Sequence, residues 1–150
     1  MKRLPAGCLA LLVLWFACAT GLADEISVEE PLYVVDIELE TVEDLRQLLE
    51  RAEQLLAQGR VAVEGQAAVT FVLHGPVVRS LLRQNYLANK RTVDLAASLS
   101  ALGVVELKAC RTWMGGNRVD ETQLQPFVQT VAFGPGEVRR LVREQGYIYF

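Results

Sequence analysis

The sequence has little histidine and cysteine: one histidine, His74, and three cysteines in 150 residues. A structural zinc site takes four ligands, usually cysteine and histidine, so this supply argues against such a site. Basic residues are outnumbered, 15 against 18 acidic ones, and form no cluster. Nucleic-acid affinity comes largely from lysine and arginine on phosphates, so a nucleic-acid partner is not expected. The glycine pair at 115–116 matches no phosphate-binding motif, and we predict neither a metal nor a cofactor.

The first 23 residues have the three parts of a secretory signal peptide. Lys2 and Arg3 form the charged n-region, residues 9–17 form the apolar h-region, and residues 21–23, Gly-Leu-Ala, form a small-x-small cleavage site. The pattern predicts cleavage after Ala23 and a periplasmic or otherwise exported protein. We expect no stable membrane insertion once the signal is removed.

Two other fates of this segment have weaker support. Lipoprotein processing requires an aliphatic residue three positions before the modified cysteine, and Trp15 stands there ahead of Cys18. An uncleaved anchor is the second alternative, because residues 4–23 carry no charge and are about long enough to span a bilayer. Pro5 and the glycines of this stretch weaken that interpretation.

Cleavage changes the composition of the chain. The 127 residues that remain have lost two basic residues and no acidic ones, so the net charge moves from −3 to −5. Cys8 and Cys18 leave with the signal, and the remaining cysteine, Cys110, has no partner for an intramolecular disulfide. We predict a flexible acidic arm at residues 24–31 and one domain at residues 32–150.

Strand and helix patterns alternate along this domain. The predicted strands are residues 32–39, 67–73, 104–109, 128–131 and 147–150. The predicted helical segments are residues 42–59, with Thr41 as N-cap, 77–83, 92–102, 120–124 and 137–145, and residues 111–118 are predicted as a loop. This alternation is typical of βαβ units. It predicts an α/β fold, a three-layer α/β/α sandwich with a mostly parallel sheet of about five strands.

The third predicted strand carries charges on one face. Val105, Leu107 and Ala109 point one way, whereas Glu106 and Lys108 point the other way. Strands of a fully covered parallel sheet are usually apolar on both faces. We therefore expect the charged face to meet water or a partner subunit.

Cys110 is the first candidate functional residue, because it follows the third predicted strand. Ligands and reactive groups of open α/β sheets gather beyond the carboxyl ends of the strands. The thiolate is the reactive form of cysteine, and nearby cations favour it; Arg111 is adjacent and Arg118 lies in the same predicted loop. The alternative is structural, since free cysteine often acts as a small buried apolar residue.

His74 occupies the equivalent place after the second predicted strand. It could accept a proton from Cys110 if the two strands are neighbours, or it could simply bond backbone in the His-Gly-Pro turn. The sequence identifies no third group that would orient a Cys-His pair. Trp113 and Met114 either line a pocket beside Cys110 or fill the core.

Several of these features resemble the DsrE/DsrF-like family of sulfur-relay proteins, which includes the YchN-like proteins. In the first half of the domain, the apolar second strand runs into His74-Gly75-Pro76 and then into a helix. After the third strand, Cys110 is followed by Thr112-Trp113-Met114. Toward the end, the segment 120–126 (DETQLQP) leads through Val128 to Gly134 and Glu137, and the chain continues to residues 145–149 (QGYIY). The resemblance spans about residues 32–150 and is most specific in the C-terminal third.

The resemblance implies an α/β/α sandwich that forms homo-oligomers, often trimers or hexamers. It also implies that Cys110 accepts sulfane sulfur as a persulfide from a donor protein or molecule and passes it to an acceptor, as a sulfur carrier or sulfurtransferase. Those relays work in the cytoplasm, whereas the signal peptide here predicts an oxidising compartment, in which a lone thiol needs shielding, oligomerisation or a reducing partner.

Three hypotheses follow from the sequence. The first is an exported persulfide carrier that uses Cys110, with Arg111 or Arg118 favouring the anion. The second is a non-catalytic oligomeric binding module of the same fold. The third is a thiol redox sensor that forms mixed disulfides through Cys110.

Overall fold

The computed structural model describes residues 31–59 and 65–150. The predicted signal peptide and all but the last residue of the predicted acidic arm lie outside the described residues.

Five parallel strands form one sheet. They are β1 (Tyr33–Ile37), β2 (Val69–Leu73), β3 (Val105–Cys110), β4 (Val128–Val131) and β5 (Ile148–Tyr149), in the spatial order β4-β3-β2-β1-β5. The central strand, β2, is buried at all five positions, as its apolar sequence predicted. Because every strand runs in the same direction, their carboxyl ends meet at one edge of the sheet.

The principal helices cover both faces of the sheet. They are α1 (Val42–Ala57), α2 (Lys90–Ala101) and α4 (Gly134–Gln145), and the short helix α3 (Arg111–Gly116) follows β3 directly. The apolar residues of α1 and α2 pack on one face, and those of α4 pack on the other. This arrangement confirms the predicted three-layer α/β/α sandwich with a parallel sheet of five strands.

Side-chain alternation along the strands sets the two cores. Phe71 and Leu107 point to the face covered by α1 and α2, called here the α1/α2 face, and both are fully buried. Val34 and Val72 point to the opposite face, called the α4 face, where they meet Val138 and Leu141 of α4. Cys110 follows Ala109 of the α1/α2 face and therefore points toward α4.

The start of α1 follows the signals read from the sequence. Thr41 is the N-cap and its hydroxyl accepts a hydrogen bond from the Asp44 N–H at 3.2 Å. Gly59 stands just past the end of the helix with φ +79°, a conformation that glycine adopts without strain.

Three predicted segments differ from the structure. Residues 111–118, predicted as a loop, contain α3, because Met114 and Val119 bury their side chains in the core and hold the turn closed. The segment 77–83, predicted as one short helix, is part of three successive 3₁₀ turns, Pro76–Leu81, Arg83–Asn85 and Leu87–Asn89. The last helix begins at Gly134 rather than Glu137, since proline is well placed in a first turn.

Within the described residues, none of the helices combines the length and apolar character that crossing a membrane requires.

Candidate functional site

The sheet brings three side chains that can take part in proton transfer or nucleophilic attack to the carboxyl ends of three adjacent strands. Asp36 lies near the end of β1, His74 follows β2, and Cys110 ends β3. Leu73 pairs with Ala109 in the β2–β3 register, so His74 and Cys110 each come one residue after a paired position. They therefore lie side by side on the α4 face, as the sequence analysis required for any interaction between them.

The sulfur of Cys110 meets the beginning of α4. The backbone N–H of Gly134, the first residue of that helix, donates a hydrogen bond to Cys110 Sγ at 3.1 Å. Cys110 is only 2% exposed. The N-terminus of a helix carries partial positive charge, and its N–H groups stabilise negative charge on an atom placed there. The position thus suits a sulfur that becomes anionic during a reaction.

Gly134 makes this close approach because it has no side chain. A Cβ at this position would lie 3.1 Å from His74 Cβ, 3.3 Å from Cys110 Cβ and 3.3 Å from Val72 Cγ1. The Cβ atoms of His74 and Cys110 are consequently at most 6.4 Å apart, the total of the first two distances. Glycine at position 134 therefore allows the first turn of α4 to pack directly against the side chains of His74 and Cys110.

His74 is held by a carboxylate that the sequence analysis did not identify. His74 Nε2 lies 2.5 Å from Asp36 Oδ1. The His74 side chain is 15% exposed, whereas that of Asp36 is 41% exposed. The sequence signal was weak but present: Asp36 is the acidic residue within an apolar strand, on the face opposite Val35 and Ile37.

The two arginines proposed to favour the Cys110 anion point elsewhere. Arg111 is more than half exposed, and its guanidinium lies 3.8 Å from the carboxylate of Glu121. Arg118 is exposed beyond the end of α3 with φ +57°. Among the described contacts of Cys110 Sγ, neither arginine donates a hydrogen bond; the donor is the Gly134 backbone.

Trp113 and Met114 do not border the sulfur. Met114 is buried in the core of the α1/α2 face, and Trp113 packs partly against the same core. The guanidinium of Arg79 lies 5.7 Å from the centre of the Trp113 ring. Both side chains therefore lie on the opposite side of the sheet from Cys110, in agreement with the alternative that they fill the core.

The charged face of β3 is covered by α4 rather than facing open solvent, which corrects the expectation from the sequence. Lys108 Nζ lies 3.0 Å from Glu106 Oε2 and 3.1 Å from Glu137 Oε1 of α4. The side chains of Lys108 and Glu137 are 14% and 13% exposed. Arg140 also donates hydrogen bonds to Glu137. Opposite charges meet within this layer, so the helix covers Lys108 without leaving its charge unpaired.

These contacts lower the pKa of Glu137 to about 2, chiefly through the hydrogen bonds from Arg140 and then through Lys108. Because the folded pKa lies below the usual value, the carboxylate stabilises the fold above about pH 4.5, and this contribution is lost as the pH falls toward 2. We expect Glu137→Gln to lower the free energy of unfolding at neutral pH by about 2 kcal/mol and to flatten its decline in acid. Denaturant titrations from pH 7 to pH 2 measure both effects.

The matched control for this experiment is Glu53→Gln, which changes an exposed carboxylate of α1. Its stability and pH dependence should follow those of the wild type. If the stability of Glu137→Gln also follows that of the wild type from pH 7 to pH 2, the ion pairs of Glu137 with Lys108 and Arg140 do not stabilise the packing of α4 on the sheet.

Metal ligation has no obvious basis in the described part of the chain. Across residues 31–59 and 65–150, no three side chains of the histidine, cysteine, aspartate or glutamate type are arranged to hold a metal ion.

Comparison with known proteins gives information on the fold. No family model matches the chain, and no curated protein sequence matches it. A solved structure from Methanobacterium thermoautotrophicum, the protein of unknown function MTH1491, is similar with a TM-score of 0.62 and 20% sequence identity. The likeness covers 81% of this chain and 98% of that chain. At this level of identity the comparison shows that the two proteins share the α/β fold.

Proposed function

We propose that this protein carries sulfane sulfur as a persulfide on Cys110. The observation that carries the proposal is the hydrogen bond from the Gly134 N–H to Cys110 Sγ at the start of α4. The attacking thiolate and the persulfide anion are both negatively charged, and a helix N-terminus stabilises either of them. The resemblance of the sequence to sulfur-relay proteins agrees with this chemistry.

The transfer needs no external oxidant or reductant. The Cys110 thiolate attacks the outer sulfur of a donor persulfide, a new S–S bond forms, and the donor S–S bond breaks as the donor leaves as a thiolate. An acceptor thiolate then attacks the outer sulfur on Cys110. That second step restores the Cys110 thiolate and moves the same sulfur atom onward.

Burial of Cys110 suits a thiol that works in an oxidising compartment. At 2% exposure the sulfur is largely shielded from large oxidants. Export thus remains part of the proposal, with the buried position as the shielding that an exported lone thiol needs.

Intact-mass measurement after incubation with inorganic polysulfide tests the proposal. Cys8 and Cys18 would also react in a chain that keeps its N-terminal segment, so both are replaced by serine in every protein tested. We expect the Cys8→Ser/Cys18→Ser protein to gain the mass of one sulfur atom and to lose it again when a small acceptor thiol is added. The same protein with Cys110→Ser added should gain none. No gain on the first protein, or an equal gain on the second, would contradict the proposal.

A second candidate function is a non-catalytic binding module, which the same burial of Cys110 favours. In that case Cys110 packs the start of α4 against β3 as a small apolar residue. The folded protein would then resist both polysulfide and alkylating reagents, and Cys110→Ala would retain binding. The mass experiment separates the two functions.

A further inference from the structure

We propose that His74 and Asp36 form a proton relay for Cys110, in which His74 takes the thiol proton and returns it to the departing donor. Asp36 acts as the positioning residue that holds the imidazole. This inference rests on the proposed sulfur chemistry of Cys110 and adds the proton transfers that this chemistry requires. The three side chains come from three adjacent strands of the sheet.

The bond to Asp36 selects the ring nitrogen that serves Cys110. A carboxylate accepts hydrogen bonds, so in this pair His74 Nε2 carries the hydrogen and donates a hydrogen bond to Asp36 Oδ1, 2.5 Å away. This leaves Nδ1 as the unprotonated nitrogen of a neutral imidazole. Nδ1 is the ring nitrogen nearer to Cβ, and the Cβ of His74 borders that of Cys110 across Gly134. The free acceptor is therefore at the Cβ end of the imidazole rather than at the end that meets Asp36.

The separation of the two side chains points to transfer through one water molecule. The Cβ atoms of His74 and Cys110 are no more than 6.4 Å apart, the total of their distances, 3.1 Å and 3.3 Å, from a Cβ built on Gly134. Among the described hydrogen bonds of Cys110 Sγ, the donor is the Gly134 N–H, and the His74 ring makes its bond to Asp36. A proton can pass between two groups at this separation across a single bridging water.

The charged groups near His74 come from three elements of the fold. Asp36, on β1, faces the ring directly, whereas Glu38 meets the turn after His74 through its backbone and has an exposed side chain. On the α4 face of β3, Lys108 is paired with Glu106 and with Glu137 of α4. Among the described ion pairs, the carboxylate of Asp36 is therefore the charged group in contact with the imidazole.

The site opens to solvent at its histidine–aspartate end. The His74 side chain is 15% exposed and that of Asp36 is 41% exposed, while Cys110 is 2% exposed. Exposure therefore increases along the series from sulfur to imidazole to carboxylate. The group that takes the thiol proton thus lies on the side of the sulfur from which a donor can approach.

The proton balance of the loading step follows from these positions. His74 Nδ1 removes the proton from Cys110 Sγ, the thiolate attacks the outer sulfur of R–S–SH, and the donor S–S bond breaks. The imidazolium then protonates the departing R–S⁻, giving Cys110–S–SH and R–SH. No proton or electron is gained from outside the reactants, and the imidazole returns to its starting state.

The rate of Cys110 alkylation by iodoacetamide between pH 5.5 and pH 9.5 tests the relay without requiring sulfur transfer. We expect His74→Gln to react about tenfold or more slowly than wild type near pH 6.5 to 7. At pH 9.5, where hydroxide removes the thiol proton, the two rates should lie within about twofold. Asp36→Asn should show a smaller loss of the same kind, and the control Glu38→Gln, an exposed carboxylate of the same segment, should match the wild type.

The outcomes separate this inference from the proposed function. Loss of neutral-pH reactivity in His74→Gln supports the relay even if wild-type protein gains no sulfur from polysulfide, in which case only the carrier function fails. Identical pH profiles for wild type and both His74→Gln and Asp36→Asn, including no reaction in any of them, would overturn the relay even if sulfur loading is observed. Circular dichroism of each variant identifies any loss of fold, and Asp36→Asn keeps the test valid if His74→Gln unfolds.

Discussion

A Gly134→Val variant is expected to lose about 3 kcal/mol of folding stability and most of the reactivity of Cys110. Even a single Cβ at this position would lie 3.1 Å from His74 Cβ and 3.3 Å from Cys110 Cβ, closer than ordinary van der Waals contact. The two further methyl groups of valine would push the first turn of α4 away from the sheet. The hydrogen bond to Cys110 Sγ would then lengthen or break. Denaturant unfolding and the rate of Cys110 modification measure the two effects.

Gly136→Val provides the matched control for this variant. It introduces the same side chain into the same first turn of α4, but the nearest atoms to a Cβ there all belong to the side chain of Phe133, which is 48% exposed. The intrinsic cost of valine in a helix is common to both variants. Equal losses of stability and reactivity in the two variants would show that the close approach of Gly134 is not important.

Phe71→Ala is expected to lower the free energy of unfolding by about 4 kcal/mol. Phe71 is fully buried on the central strand β2, between the neighbouring strands and the helices α1 and α2. Removal of the ring leaves a cavity. Because β2 is hydrogen-bonded to a strand on each side, the surrounding residues can move to fill that cavity only in part. Urea or guanidinium unfolding gives the change directly, provided that the slope against denaturant stays that of the wild type.

Phe133→Ala is the comparison for this second variant, because Phe133 is nearly half exposed. We expect it to cost less than about 1 kcal/mol. A loss in Phe71→Ala as small as that in Phe133→Ala would mean that β2 is not the centre of the packed core.

Local patterns in the sequence predicted most of the architecture. The N-cap at Thr41, the glycine stop at Gly59 and the apolar run of β2 are each determined by residues close together in the chain. The alternation of strands and helices then leads to a parallel sheet with helices on both faces. These signals are local, so the fold class followed from them.

Features that depend on contacts between distant residues were not predicted. Asp36 meets His74, 38 residues away, only because β1 and β2 pair with Ile37 opposite Leu73. The charges of β3 were expected to meet water or a partner subunit, because the helix residue that pairs with Lys108, Glu137, comes 29 residues later in the chain. Helix α3 was missed because its glycine pair, 115–116, opposes helix formation locally, while burial of Met114 favours it. Each of these outcomes depends on tertiary packing.

The pairing of β1 with β5 has a consequence for how the chain folds. Tyr33 aligns with Ile148, so strands from nearly opposite ends of the domain are hydrogen-bonded neighbours. Contacts between residues so far apart in sequence close a large loop, and proteins rich in such contacts fold slowly. During synthesis the edge of β1 stays open until residues 148–149 have been added, and any earlier intermediate presents this edge to other chains.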